Sequence, residues 1–235
     1  MIKDHLRWLA GALCAGTFSL GAQAQGPWQP PADTLAQRLA ACTFCHGDQG
    51  RAGPDGYYPR LAGKPAGYLF NQLQHFQQGR RQYQPMTGLL RHLEADYLHT
   101  MAEHFAAQQV PYPAPVAAVL TPAQTQRARQ LVFNGDAQRQ LPACASCHGV
   151  ALMGALPATP ALLGLPRDYL TSQLGAWRNG LRRAHSPDCM GEVARRLDPQ
   201  DVATVSAWLS SQPAPAAHTL APLPPPAGLA CGGTP

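Results

Sequence analysis

The sequence predicts an all-α fold built as two tandem copies of one helical unit. Three observations carry this. Apolar residues recur at helical spacing in several windows, while strand-type alternation is almost absent. A string of landmarks repeats at a nearly constant offset. One pattern, Cys42-Thr43-Phe44-Cys45-His46, returns as Cys144-Ala145-Ser146-Cys147-His148.

The repeat is explicit. Pro59, Leu61 and Gly63 match Pro160, Leu162 and Gly164. Tyr68-Leu69, Gln72-Leu73, Phe76 and Gly79 match Tyr169-Leu170, Gln173-Leu174, Trp177 and Gly180, all 101 positions apart. The Cys/His patterns are 102 apart and Met86 and Met190 are 104 apart, so small insertions fall in loops. The 235 residues then divide into a leader at 1–24, a first domain at 25–109, a Pro-rich linker at 110–120, a second domain at 121–211 and a Pro-rich tail at 212–235.

Taken in order, Lys3 and Arg7 open a short apolar run that ends at Ala22-Gln23-Ala24, the pattern of a cleaved secretory leader. The run is shorter and more glycine-broken than a membrane span of about 20 residues. An exported, soluble chain in an oxidising periplasm is expected. Asp33 or Thr34 can cap a helix that runs into the first Cys/His pattern. The spacing of Tyr68, Leu69, Leu73 and Phe76 predicts a helix over 66–78, stopped by Gly79. Tyr97, Leu98, Met101 and Phe105 predict another over 94–108. Thr121-Pro122 is an N-cap with proline at the first helical position. Helices over 122–133, 167–179 and 199–211 follow, and the tail beyond 212 reads as extended or disordered.

The net charge is +5, from 18 Lys+Arg against 13 Asp+Glu, and no basic run carries interleaved aromatics. That excludes a nucleic-acid reading and suits docking to an acidic protein surface. Peripheral association with a membrane surface stays open.

C-x-x-C-H is the attachment pattern of a c-type haem. Two thiols three positions apart reach the two vinyl groups on one porphyrin edge and form thioethers. The following histidine then lies under the ring and offers a nitrogen to the iron. A random chain of this length would show about 0.01 such patterns, and here there are two. A thioredoxin-type site needs a βαβ context that is missing, and a four-cysteine zinc ribbon needs a spacing of about 15–20 residues. Two haem c groups are expected, on Cys42, Cys45 and His46, and on Cys144, Cys147 and His148.

The sixth iron ligand decides between carrier and catalyst. A methionine thioether raises the potential and leaves no open position. Only Met86 and Met190 occupy equivalent repeat positions, 40 and 42 residues after their histidines, so they are the expected distal ligands. Met101 sits on an apolar helical stripe and reads as core. Met153 lies too near His148 to reach the opposite face. His75, His92, His99, His104 and His185 have no counterparts and read as surface or core residues.

Two C-x-x-C-H-G units, each followed by P-x-L-x-G, a Tyr-Leu-x-x-Gln-Leu helix and a methionine before a final helix, resemble the cytochrome c4 family over residues 33–211. The resemblance implies two tandem class I cytochrome c domains related by a pseudo-twofold axis, with propionate edges near the interface. It implies one-electron transfer in the periplasm, commonly toward a terminal oxidase. It also implies that Pro59 and Pro160 accept a hydrogen bond from the proximal histidines, and that Arg60 approaches a propionate. The counterpart of Arg60 is Ala161, so the second haem departs from the pattern.

The expected partners are redox proteins: a terminal oxidase, a quinol-oxidising complex, or a dehydrogenase of which this chain is the electron-accepting subunit. A dihaem peroxidase is disfavoured by paired methionines, and no enzymatic activity is expected. Cys189 and Cys231 lie outside the haem patterns. In an oxidising compartment they suggest a disulfide tying the tail beside Met190; free thiols or pairing with another chain remain alternatives.

Overall fold

A computed structural model describes residues 32–53, 55–216, 218–223 and 231–232. The leader expected at 1–24 lies outside them. The described chain is helical, with only isolated β-bridges. The first half contains α1 (Leu35–Arg38), α2 (Ala40–His46), α3 (Ala66–Gln77), α4 (Gln84–Leu90) and α5 (Ala95–Ala106). The second contains α6 (Pro122–Phe133), α7 (Ala145–His148), α8 (Arg167–Arg178), α9 (Cys189–Arg196) and α10 (Pro199–Ser210). Among the described residues no helix is long and apolar enough to cross a membrane.

Local chemistry sets these boundaries. Thr34 caps α1 through its side chain, 3.2 Å from the Gln37 N–H. Thr121 and Gln124 form a reciprocal capping box with Pro122 at the first position of α6. Asp188 and Asp198 cap α9 and α10. Glu94 precedes α5 without a side-chain cap, and Gly79 and Gly180, both at positive φ, turn the chain after α3 and α8.

Each half buries its own core. In the first, α3 packs on α5, and Leu39, Leu69, Phe76, Leu98 and Phe105 are buried between them and α2. Met101 is part of that core, as its stripe predicts. In the second, α10 packs on α6 and α8 around Leu131, Val132, Leu170, Val205 and Trp208. Met153 is buried there. Truncating a fully buried side chain such as Leu98 costs about 2–5 kcal/mol. The two halves thus hold separate helical cores, as the sequence repeat predicts.

The described tail residues are extended and without helix, and the disulfide that the two extra cysteines suggest is present. Ala214 packs on the second core, and the Leu156 N–H donates to the Ala221 carbonyl at 3.0 Å. Cys231 is disulfide-bonded to Cys189, with Cα atoms 5.2 Å apart. A Pro/Ala/Gly composition carries little helix or strand propensity, but it does not prevent docking onto a neighbouring surface. The linker is also fixed: Tyr112 packs on the second core, against Gly164, which sits at positive φ and where any Cβ would collide with the Tyr112 ring.

Candidate haem sites and the cleft between them

Both Cys/His patterns end a helix whose next residue is a glycine at positive φ, Gly47 or Gly149. That turn drops each histidine into its half while the cysteines stay part-exposed. His46 and His148 are each 6% exposed. Their Nδ1–H groups donate to the Pro59 carbonyl at 2.8 Å and the Pro160 carbonyl at 2.7 Å. Each bond fixes the tautomer and leaves the Nε2 lone pair free for iron. Burial pulls both imidazoles below their usual pKa, an effect the proline carbonyls partly oppose. The shift favours the neutral ring that metal ligation requires.

A large apolar cleft in the second half is lined by Cys144, Cys147, His148 and Met190, together with Leu165, Leu170 and Val205. In the first half, Met86 packs against the core that also receives Cys42. The four pattern cysteines are unpaired. No cluster of three or more His, Cys, Asp or Glu side chains that could hold a metal ion occurs among the described residues.

The second cleft opens onto the junction of the halves, where Lys64, Tyr68, Gln72, His75 and Arg182 complete its wall. The junction is symmetric. Arg81 donates to Gln72 of its own half at 3.1 Å and to Gln173 of the other at 2.9 Å. Arg182 donates to Gln173 at 2.7 Å and across to Gln72 at 2.9 Å. The pairing extends to Arg81 with the Tyr169 hydroxyl, 3.5 Å, and Arg182 with the Tyr68 hydroxyl, 3.1 Å. Arg81 lies 4.8 Å over Phe76 and Arg182 lies 3.8 Å over Trp177. An antiparallel bridge joins Arg81 to Arg182, and the Arg183 N–H donates to the Arg80 carbonyl at 2.7 Å.

Lys64 and Arg182 are buried without acids, and Arg81 is half-buried. Lys64 is 6% and Arg182 4% exposed, and among the described residues neither they nor Arg81 form an ion pair with a carboxylate. Burial holds Lys64 and Arg182 below their usual pKa values. Burial alone raises the Tyr68 hydroxyl, but Arg182, Arg81 and Lys64 outweigh it and bring it down to about 8. The Trp177 indole N–H and the His75 Nε2 are buried without a partner, on the same wall. Unpaired buried donors and cations need anions. Haem propionates would meet that need, so the lining of this cleft fits a porphyrin whose carboxylates Lys64 and Arg182 would hold.

Several placements were not legible in the sequence. Arg60 turns onto the linker: its Nε donates to the Ala62 carbonyl at 2.9 Å and its Nη1 to the Pro111 carbonyl at 3.1 Å. Its Nη2 bonds the Val110 carbonyl, and its guanidinium covers the Tyr112 ring at 4.1 Å. His75 is buried and faces His185 of the other half, with ring centroids 4.9 Å apart. Arg81 and Arg182 stand 101 apart, two residues beyond the matched glycines Gly79 and Gly180. The repeat was the signal that could have found them.

Fold and site together define a dihaem c-type cytochrome. The sequence model of the cytochrome c family matches residues 130–213. A thiosulfate dehydrogenase electron acceptor from Thiomonas intermedia is 34% identical over 189 residues, covering 79% of this chain and 86% of that protein. Cytochrome c4 from Pseudomonas aeruginosa is 30% identical, covering 73% and 84%. The crystal structure of reduced cytochrome c4 from Pseudomonas stutzeri has a TM-score of 0.63 at 29% identity, covering 74% of this chain and 95% of that one. The chain belongs to the cytochrome c4 family: it carries two haem c groups and transfers electrons. Bound haem supplies a one-electron ferric/ferrous couple; the chain supplies attachment, ligands, charge and exclusion of water.

Proposed function

We propose that this protein works in the periplasm, takes single electrons from a dehydrogenase and passes them toward a terminal oxidase, without catalysing a reaction of its own. Units 25–109 and 121–211 each hold one haem. Cys42 and Cys45, and Cys144 and Cys147, form the thioethers. His46 with Met86, and His148 with Met190, are the axial pairs. Pro59 and Pro160 hold the proximal rings in one tautomer. Lys64, Arg81 and Arg182 neutralise propionates at the junction, and Arg60 gives a propionate one of the two N–H groups that its carbonyl partners leave free.

The observation that carries this reading is the acid-free cationic junction. It supports a reading in which the two cofactor edges lie close together, which suits an electron relay and serves no purpose in two independent sites. Closed axial pairs favour a carrier over a peroxidase, since fixed ligands leave no position for a substrate. The dehydrogenase reading draws on the relative named for accepting electrons from thiosulfate dehydrogenase.

The test mixes ferric holoprotein with a thiosulfate dehydrogenase and thiosulfate under anaerobic conditions. Both haems are expected to become ferrous in proportion to thiosulfate consumed. Failure to reduce either haem removes the dehydrogenase as donor. Rapid turnover of hydrogen peroxide by the ferrous protein would replace the carrier with an enzyme.

A further inference from the structure

The cleft lined by Cys144, Cys147 and His148 is not built by its own half alone. Lys64, Tyr68, Gln72 and His75, on or just before α3 of the first half, line it as well. Tyr68 and Gln72 have equivalents in Tyr169 and Gln173, which line the same cleft. Lys64 and His75 have none: the positions 101 further on are Leu165 and Ala176. Lys64 is 6% and His75 2% exposed. The first half therefore brings a buried cation and a buried imidazole to this cleft, and the repeat gives the second half neither to return.

Three observations tie the pair to the second site. The charge of Lys64 helps to pull the His148 imidazole below its usual pKa, whereas His46, in the same half as Lys64, is acted on by Arg81 instead. His75 packs on His185 of the second half, with ring centroids 4.9 Å apart, and its Nε2 is buried without a partner. The start of α3 lies directly against the loop between His148 and Pro160: a Cβ on Gly67 would stand 2.8 Å from the Pro157 carbonyl. The equivalent of Gly67 is Asp168, which is exposed. Burial, with His185 and the arginines Arg182, Arg80 and Arg81, brings His75 down to about 4, so its ring is neutral near pH 7. A neutral imidazole has one N–H to give, and a buried one needs an acceptor.

We propose that the first half completes the second haem site: His75 donates the N–H of its Nε2 to a propionate of the second haem, and Lys64 supplies the counter-charge of that carboxylate. The inference deepens the reading of the junction as a propionate site and rests on it. The first haem has no such pair, because Leu165 carries no charge and Ala176 no donor. The two haems then sit in different fields although their attachment and axial ligands match. Taking a donor or a cation away from a propionate leaves more uncompensated negative charge near the iron, which favours the ferric state. The loss must therefore appear in the second potential and not in the first.

The test follows the two haems separately in the holoprotein. In the ferrous protein each axial methionine gives its own high-field methyl proton signal, and Met190→Ala identifies that of the second haem. Each signal is followed through a potentiometric titration at fixed pH. Lys64→Leu and His75→Ala, which install the residues of the equivalent positions, are each expected to lower the second potential and leave the first where it was. The double variant is expected to lower it further. His75→Gln keeps an N–H donor and is expected to recover most of the loss. Equal shifts in both haems, a shift confined to the first, or no shift in either variant overturns the proposal, as does His75→Gln behaving like His75→Ala. Small-angle scattering of each variant separates the local effect from undocking. The fall is expected at the radius of the unaltered protein; if it occurs only where the radius has grown, the two residues merely hold the halves together and the proposal is overturned. Should His75→Ala not fold, Lys64→Leu and His75→Gln decide: the first must lower the second potential and the other must leave it nearly unchanged. If Met190→Ala removes neither methyl signal, the axial reading fails and the proposal falls with it; if it removes one, that reading stands whatever the other variants show.

Discussion

Replacing Arg182 with methionine tests the junction that joins the two halves. The side chain stays long but loses every donor. Arg182 makes two bonds across the junction, to Gln72 at 2.9 Å and the Tyr68 hydroxyl at 3.1 Å. Each is worth about 1 kcal/mol net. Its stacking on Trp177 lies within its own half and does not hold the halves together. Loss of a buried cation also relieves a dehydration penalty, as its lowered pKa shows. The net weakening of docking is therefore about 1–2 kcal/mol, a factor of roughly 5–30 in the ratio of docked to undocked halves. Small-angle scattering of the holoprotein should show a larger, more variable radius. Loss of positive charge favours ferric iron, so at least one reduction potential should fall. Arg81→Met should act in the same direction but less strongly, because one of its two crossing bonds is 3.5 Å long. Unchanged scattering and potentials in Arg182→Met, or a larger effect in Arg81→Met, would refute the reasoning.

Two further outcomes are expected. Met190→Ala should lower one of the two potentials and leave the other, read by spectroelectrochemistry, because a thioether favours ferrous iron. Asp201 sits in α10, its side chain 5% exposed, between Arg127 at 2.9 Å and Arg139. Burial alone raises its pKa, but the two guanidiniums outweigh that and hold it below the usual value. A depressed carboxyl stabilises the fold above its unfolded pKa of about 3.9, and that contribution disappears as pH falls through the lower folded value. Asp201→Asn should then cost about 2 kcal/mol near neutral pH in urea unfolding. The gap between variant and parent should close as the solution is acidified below about pH 4.

What the sequence made legible has a common physical origin. Helix positions follow from 3.6-residue spacing and caps, so Thr121-Pro122 marks the start of α6 and Asp198 precedes α10. The Cys/His patterns are legible because thioether chemistry demands a fixed spacing. The repeat made Met86 and Met190 stand out from Met101 and Met153, both of which are buried core residues. The junction was harder. Lys64, His75 and Arg182 look like ordinary polar residues on or beside amphipathic helices, and only the packing of α3 near α8 turns them inward together. The bonds from Arg60 to Val110 and Pro111, about fifty residues away, leave no mark in its local motif. The docking of the tail was not legible for a related reason: Leu156 and Ala221 pair through backbone groups, which leave no trace in side-chain composition.

A spectroelectrochemical titration of the purified holoprotein tests the central claim most directly. The account predicts two reversible one-electron steps, two electrons per chain in all, with the thioether band of both ferric irons present at the start and restored on reoxidation. A single one-electron step, or a ferric spectrum in which one iron lacks the thioether band in the unaltered protein, would contradict it.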